Sequence, residues 1–529
     1  MAADAVAVAE LSSVPTCPLT PTQLGDLELL LSGAFAPLTG FMTAADVAAV
    51  TLSWRLSDGT PFPAVVTLDV PAAAVPAQTV DSPDRLLLAD PEGTPIALLT
   101  IRERTRLESG PQAGLIRLAG PVVANRKPEH GPFRRLMLTP AEVRTRLGEG
   151  PVLAFTTRGP LGSKQIGQLR HRAGQLGARI LVLPLVGGHP DVVGTPQALI
   201  RAVLAAAPSL PPSSLVVPVA LPPRLDAASP AGRAAELALR ARVAAAYGAT
   251  ELLVDGAAPS PTDLPSGADL NAGAVIPIRP AGDWAYDPAA EVWRPHARIE
   301  PGTEREDLSA DQLGDLLDAG SQIPPWVTPP TVARELGRVR RPRSERGLVL
   351  FLTGLSGSGK STIARDLADV LAERGDRQVS LLDGDLVRQL LSAGLTFSRA
   401  DRDLNIARIG FVAAEIARHG GIAICAPIAP FAAARARVRQ QVSDVGDFFL
   451  IHVATPIEVC EARDRKGLYA KARAGLIDQF TGVTDPYEEP ADAELVIDTS
   501  TVSRTDAVQA VLSMLTAGGW LADQPGIGR

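Results

Sequence analysis

Short apolar runs separated by turn residues fill the first part of the chain; after residue 139 they alternate with amphipathic stretches of helical length. Ala64-Val65-Val66-Thr67-Leu68-Asp69-Val70 and Arg85-Leu86-Leu87-Leu88 read as strands between the turn signals Asp58-Gly59, Pro91-Glu92-Gly93 and Gly120-Pro121, which predicts a β-rich region up to about residue 130. Ahead of them, Leu27 to Met42 reads as a short helix followed by a Gly/Pro turn. From Thr139-Pro140 the texture is α/β. Strands are predicted at Val152-Leu153-Ala154-Phe155, Arg179-Ile180-Leu181-Val182-Leu183, Leu215-Val216-Val217-Pro218 and Glu251-Leu252-Leu253-Val254, with helices over 196–206 and 232–247. Such alternation implies a parallel sheet with crossover helices, whose ligands collect at the carboxyl ends of the strands. Residues 256–274, rich in Pro, Gly, Ser and Ala, read as a flexible loop, and the basic run 338–347 reads as a solvated linker, with a phosphate-binding patch as the alternative.

The next apolar run, Leu348-Val349-Leu350-Phe351-Leu352, leads into Gly354-Leu355-Ser356-Gly357-Ser358-Gly359-Lys360-Ser361-Thr362 and then a helix-compatible stretch. This is G-x-x-x-x-G-K-[ST] in its strand–loop–helix context. Its glycines let backbone N–H groups face a polyphosphate at a helix N-terminus. Lys360 is expected to reach the β- and γ-phosphates, and Ser361 to ligate the bridging Mg²⁺. This half is expected to bind a nucleoside triphosphate.

At 529 residues the chain has room for about three domains, because single cores stop growing near about 250–300 residues. A formal charge of -7 leaves no basic footprint for nucleic acid. With no apolar run of membrane-spanning length and an acidic, alanine-rich start at Met1-Ala2-Ala3-Asp4, the expectation is a soluble cytoplasmic protein. Cys17, Cys425 and Cys460 are too few for a disulfide framework, and the six histidines form no zinc-like pair, so no structural metal is expected.

Downstream of the phosphate loop, Leu381-Leu382-Asp383-Gly384-Asp385 ends a strand in two carboxylates. They can divide two tasks, ordering Mg²⁺ through water and taking the proton of an attacking hydroxyl. Ser398 is an N-cap candidate for a helix that carries Arg402, Asn405 and Arg408 along adjoining faces, suited to an anionic second substrate, with Phe397 available to stack on a base.

Taken together, G-L-S-G-S-G-K-S-T, L-D-G-D-x-V-R, F-S-x-x-D-R-x-x-N-I-x-R-I-G, the run from Val459 to Gly475, Phe480-Thr481-Gly482 and Asp485-Pro486-Tyr487-Glu488 make residues 347 to about 515 closely similar to adenylyl-sulfate (APS) kinase. The resemblance implies transfer of the γ-phosphoryl of MgATP to the 3′-hydroxyl of APS, giving 3′-phosphoadenylyl sulfate (PAPS) and ADP. It assigns Gly354, Ser356, Gly357, Ser358, Gly359, Lys360, Ser361, Thr362 and Arg463 to ATP. Asp385 is the expected base and Asp383 the residue of the Mg²⁺ shell, with the reverse assignment open. Arg388, Phe397, Arg402, Asn405, Arg408, Ile428, Lys471 and Phe480 are implied to hold APS, the two phenylalanines sandwiching its adenine. Lys466 and Lys471 match the closing lid. The family's common serine is absent from Ile428-Ala429-Pro430, so direct in-line transfer is expected. Arg465 replaces a common Pro and Leu476 a usual Glu in the lid region.

Gly33 to Met42, Trp54 to Gly59, Thr139 to Arg144, Tyr247-Gly248-Ala249-Thr250 and Leu317 to Trp326 together resemble ATP sulfurylase across roughly residues 20 to 335. Where that family reads Q-T-R-N-P followed by H-x-x-H, this chain reads Thr156-Thr157-Arg158-Gly159-Pro160-Leu161-Gly162-Ser163-Lys164-Gln165. Arg158 survives, whereas the Gln, the Asn and both histidines do not. The second motif, G-R-D-H-A-G, is replaced by Asp255-Gly256-Ala257-Ala258-Pro259. Loss of one positioned charge-stabilising donor costs about 10²–10³ in rate, so these losses predict an inactive, degenerate module with Arg158 as the vestige of its site. Compensation by Lys164 and Arg170 is the competing expectation, and a retained regulatory nucleotide or sulfonucleotide pocket is another.

The expected architecture is α/β: a β-rich, PUA-like N-terminal domain (residues 1–135), an α/β nucleotidyltransferase-like domain with degenerate motifs (136–336), a basic linker (337–346) and a P-loop kinase domain with a parallel sheet (347–529). Expected partners are ATP and APS, further copies of the chain as a homo-oligomer, and a separate active ATP sulfurylase, with no nucleic acid and no membrane. The alternatives are a bifunctional sulfate adenylyltransferase and APS kinase with an unfamiliar first site, and a regulatory protein that only senses nucleotide or APS.

Overall fold

The computed structural model describes residues 14–75, 84–110, 112–126, 132–187, 195–223, 229–255, 274–396, 398–464, 466–477 and 479–522, the side chains of residues 385 and 386 excepted. The chain divides into two units, residues 1–314 with 322–340 and residues 315–321 with 341–529.

The first unit opens with seven strands: β1 (Thr16–Pro18), β2 (Gly40–Phe41), β3 (Leu68–Val70), β4 (Arg85–Ala89), β5 (Pro95–Thr100), β6 (Glu103–Arg106) and β7 (Ile116–Ala124). They pair in the order β1-β4-β5-β7-β2, with β3 and β6 also on β7. Leu86, Leu88, Leu99 and Leu118 are fully buried in its core, where Phe35 meets Phe62 edge to face at 5.9 Å. The predicted helix begins earlier than its apolar run, as Pro21–Ser32. Thr20 and Gln23 close a capping box there, and Gly33, at φ 80°, ends the helix. The strand expected over 64–70 is confined to β3.

A five-stranded parallel sheet follows, in the order β10-β9-β8-β11-β12: β8 (Val152–Thr157), β9 (Arg179–Pro184), β10 (Leu215–Val216), β11 (Glu251–Val254) and β12 (Ile278–Pro280); an antiparallel pair, β13 (Trp284–Asp287) and β14 (Val292–Pro295), comes after it in the chain. The helices are Pro196–Ala206, as expected, and Pro230–Ala246, which starts two residues before the expected one because Ser229 caps it. β10 stops before Pro218, which has no N–H to give, although Val217 and Val219 still donate to the Val182 and Pro184 carbonyls. The segment expected as a loop, 256–274, lies outside the described residues except for Ala274.

The second unit is a parallel sheet in the order β16-β17-β15-β18-β19: β15 (Leu348–Thr353), β16 (Val379–Asp383), β17 (Ile422–Ala426), β18 (Asp447–Val453) and β19 (Leu495–Ile497). The central strand β15 is buried along its length, which explains its unbroken apolar run. One side chain set packs with Ile363, Leu367 and Leu371 of the helix Lys360–Arg374 and with the helix Arg504–Ala517; the alternate set packs with Ile409 and Ala413 of the helix Arg399–Arg418 and with Val438 of the helix Ala432–Ser443.

The basic run 338–347 is not the solvated linker expected. The helix Pro330–Val339 takes up its start, Arg343 and Arg346 both pair with the buried Asp318, and Arg343 lies 5.0 Å over the Trp520 ring. Removing one partner of a buried pair leaves the remaining charge uncompensated. Asp318→Ala is therefore expected to lower the unfolding free energy of the second unit by about 2–4 kcal/mol, measured by urea denaturation; an unchanged midpoint would contradict the pairing.

Candidate active site

Strand β15 delivers the chain into the phosphate loop. Gly354 sits at φ 150° with Val453 O 2.4 Å from where a Cβ would be, and Gly359 at φ 104° caps the following helix, so neither position accepts a side chain without strain. Loop carbonyls are taken up by protein donors. Ser356 O accepts from the Tyr469 hydroxyl at 2.9 Å, and Ser358 O accepts from Thr455 Oγ1 at 3.0 Å and Thr499 Oγ1 at 2.9 Å. Because a trans peptide sets C=O and N–H on opposite sides, these bonds turn the N–H groups of Gly357 and Gly359 the other way. Lys360, 6% exposed, places Nζ 2.7 Å from Leu355 O and 3.4 Å from Ser358 Oγ, inside the loop it is expected to serve. Ser361 and Thr362 follow in the helix's first turn, half-buried. Arg463 donates to Thr499 Oγ1 at 2.7 Å and to Gly357 O at 3.4 Å, so it borders the same loop.

Asp383 ends β16, 9% exposed, and its carboxylate accepts from Arg365 at 3.1 Å, an arginine that no sequence motif singles out. Asp385 is in the first turn of the short helix Gly384–Gln389, with its side chain outside the described residues. Ser361 and Asp383 offer a hydroxyl and a carboxylate, hard oxygen donors that fit a Mg²⁺ held mainly by substrate phosphates. Among the described residues no cluster of three or more His, Cys, Asp or Glu could hold a metal by itself.

The residues expected to hold the second substrate fall on the helix Arg399–Arg418 and on the loop 479–485. Arg402 and Asn405 are buried. Arg402 donates to Asp485 at 2.5 Å, to Thr481 Oγ1 at 3.1 Å and to Gln479 O, which binds the helix to the loop carrying Phe480. Asn405 Oδ1 is buried with no hydrogen-bond partner among the described residues. Arg388 donates to Thr396 O, and burial pulls its guanidinium below the usual arginine range. Arg408 donates from Nη1 to Leu391 O at 3.0 Å. Ile428 O accepts from Thr353 Oγ1 at 2.6 Å, fixing that turn beside β15. Phe480 meets Tyr469 edge on, centroids 5.0 Å apart. Lys466 and Lys471 are exposed, flanking or within the short helix Leu468–Arg473. Phe397 lies outside the described residues, as does Arg465. A cavity of about 610 Å³ lined by Leu355, His452, Thr455, Gly482, Asp485 and Tyr487 contains none of the expected substrate-holding residues and is not the site predicted.

In the first unit the surviving Arg158 follows β8, the strand flanked by β9 and β11, where ligands of parallel sheets gather. Its guanidinium donates to Gly187 O at 3.3 Å, Leu221 O at 3.1 Å and Glu236 at 3.3 Å. Lys164 pairs with Asp255 at 3.4 Å, and Gln165 donates to the same carboxylate at 2.8 Å. Burial and the nearby Asp255 push Asp307 up, against the pull of Lys164. Arg170 is exposed. Residues 256–259, the replacement for the second motif, lie outside the described residues.

Family models match in three blocks: a PUA-like domain over residues 2–113, ATP-sulfurylase over 134–339 and adenylylsulphate kinase over 346–498. The architecture is thus that of a fused ATP sulfurylase and APS kinase, with a P-loop kinase domain at its carboxyl end. Sulfate adenylyltransferase of Mycosarcoma maydis is 35% identical over 96% of this chain and 95% of its own, and that of Phaeosphaeria nodorum 35% over 97% and 95%. A solved structure titled "Hexameric APS kinase from Thiobacillus denitrificans" is 35% identical with a TM-score of 0.81, covering 97% of this chain and 95% of that one. The chain belongs to the sulfate adenylyltransferase family, in the form fused to an APS kinase domain, and its carboxyl-terminal domain makes it an adenylyl-sulfate kinase. The expected PUA-like, sulfurylase-like and kinase folds are all present. No described helix is long and apolar enough to cross a membrane.

Proposed function

We propose that this protein transfers the γ-phosphoryl group of MgATP to the 3′-hydroxyl of APS, and that its sulfurylase-like half does not adenylylate sulfate. The observation that carries the first part is the phosphate loop with Lys360 inside it and Asp383 at the end of β16. Lys360 and the loop N–H groups hold the transferring phosphates; Ser361 and Asp383 are the residues that would hold Mg²⁺, which would supply neutralisation of the phosphate charge. Asp385 takes the 3′-hydroxyl proton. Arg388, Arg402, Asn405, Arg408, Ile428, Phe480 and the lid residue Lys471 serve APS, together with Phe397, which lies outside the described residues; Lys466 closes over the phosphates with the lid. Incubation with MgATP and APS is expected to yield ADP and PAPS in equal amounts by chromatography; ADP without PAPS would overturn the assignment.

The second part goes against the name the curated relatives carry, and residue chemistry supports it. Thr156, Gly159, Gly162 and Gln165 stand where the family has Gln, Asn and two histidines, and Lys164, the nearest replacement cation, is paired with Asp255. A lysine so engaged lacks the imidazole geometry it would need to replace.

A relative titled hexameric supports a homo-oligomer. On the kinase unit Leu390, Leu404 and Phe411 are 73, 42 and 64% exposed, with residues 390–391 drawn beside the helix Arg399–Arg418 by the Arg408–Leu391 bond. Large exposed apolar patches mark association surfaces. Phe411→Asp is expected to reduce the mass measured by light scattering after gel filtration, because a carboxylate placed in such an interface is desolvated without a partner; an unchanged oligomer would contradict this surface.

A further inference from the structure

Tyr469 contributes to no assigned substrate contact, yet it is 1% exposed and touches both halves of the kinase site. Its hydroxyl donates to Ser356 O at 2.9 Å, and its ring meets Phe480 at 5.0 Å and 77°. Both ends are fixed. Asp464 accepts from the N–H groups of Tyr469 at 3.1 Å and Ala470 at 3.0 Å, and these backbone bonds hold its carboxyl below the usual range. The helix Leu468–Arg473 is thereby capped and the tyrosine aimed. Burial raises the Tyr469 hydroxyl well above the usual phenol range, so it remains a neutral donor. The Phe480 loop is closed by bonds from Thr484 N and Asp485 N to Phe480 O, from Phe480 N to Thr484 Oγ1, and by Arg402.

The peptide that Tyr469 grips joins Ser356 to Gly357, and its N–H points away from the tyrosine, toward the side where the loop is expected to hold phosphate. A polyphosphate that draws this N–H fixes the peptide's tilt and, through Ser356 O, the tyrosine ring. That ring is the wall against which Phe480 rests.

We infer that Tyr469 is a positioning residue that couples the two substrate sites, so that nucleotide in the phosphate loop sets the Phe480 surface and raises affinity for the adenine of APS. The inference rests on the APS kinase reading above. Coupling between sites is reciprocal and typically about 5–150-fold.

The test compares wild type with Tyr469→Phe, which keeps the ring and removes the hydroxyl. APS affinity is measured by calorimetry with and without a saturating non-hydrolysable ATP analogue and Mg²⁺, and PAPS formation is assayed alongside. Wild type is expected to bind APS at least about fivefold more tightly with the analogue present. In Tyr469→Phe the ratio is expected to fall to within about twofold of one, with APS affinity in the absence of nucleotide unchanged within about twofold; a merely structural loss would weaken APS binding in both conditions alike. Equal ratios in the two proteins, or no coupling in a wild type that makes PAPS, would overturn the inference and leave the kinase reading intact. A wild type that makes no PAPS overturns the kinase reading, and the inference with it.

Discussion

Lys360→Ala is expected to reduce PAPS formation by at least about 10³-fold, because the substitution removes the ammonium held inside the phosphate loop, where charge is expected to develop during transfer. Alanine is the best helix former, and the position opens the helix Lys360–Arg374, so the local backbone is retained. The loop's other carbonyl bonds, from Tyr469, Thr455 and Thr499, do not depend on the lysine. The loss should therefore appear in a coupled ADP-release assay with the thermal midpoint little changed. Turnover within tenfold of wild type would contradict the role given to Lys360.

Arg402→Ala is the second large effect. The arginine is 8% exposed and spends its guanidinium on Asp485, Thr481 and Gln479, the residues that frame Phe480. Hydrogen bonds to charged groups contribute about 1.5–3 kcal/mol each, so losing the set is enough to release the loop. The KM for APS is expected to rise at least about 100-fold, which corresponds to roughly 2.7 kcal/mol, while the Kd of a fluorescent ADP analogue changes by less than twofold. Loss of nucleotide affinity equal to the loss of APS affinity would show a general collapse instead. The bonds from Arg402 to the loop are an arrangement the sequence motif alone does not reveal, since D-R-x-x-N places it beside Asn405 on a helix and says nothing of Asp485.

The kinase site was legible wherever the chemistry is local. The phosphate loop, its strand and its helix are contiguous, so glycine spacing, an apolar run and helix propensity name Lys360 and Ser361 together. The L-D-G-D run likewise puts Asp383 at a strand end, where β16 places it. What escaped is long-range pairing. Arg365 reaches Asp383 across 18 residues and Tyr469 reaches Ser356 across 113, separations at which periodicity carries no information. The same limit explains the misread basic run. Arg343 and Arg346 read as solvated because Asp318, their shared partner, stands in a different part of the sequence. β1 was also missed, since Thr16–Pro18 is too short and proline-bounded to show alternation and is held only by parallel pairing to β4.

In the first half the scaffold was easier to read than the site. Alternating strands and capped helices specify the parallel sheet, and Thr139, Thr195 and Ser229 cap helices as their residue types lead one to expect. Arg158 invites the opposite error. Read alone it is a surviving sulfate ligand; in the fold its guanidinium is bonded to two carbonyls and Glu236. Its presence by itself therefore does not argue for catalysis, and the weight falls on the missing histidines and on Lys164 held by Asp255.

The most direct test supplies the intact protein with ATP, Mg²⁺ and inorganic pyrophosphatase, together with either APS or labelled sulfate, and separates the nucleotides by chromatography. The account predicts PAPS from APS and neither APS nor PAPS from sulfate. Labelled PAPS appearing from sulfate at a rate above the enzyme-free control would contradict it, and would mean that the first half adenylylates sulfate with a set of residues other than the family's histidines.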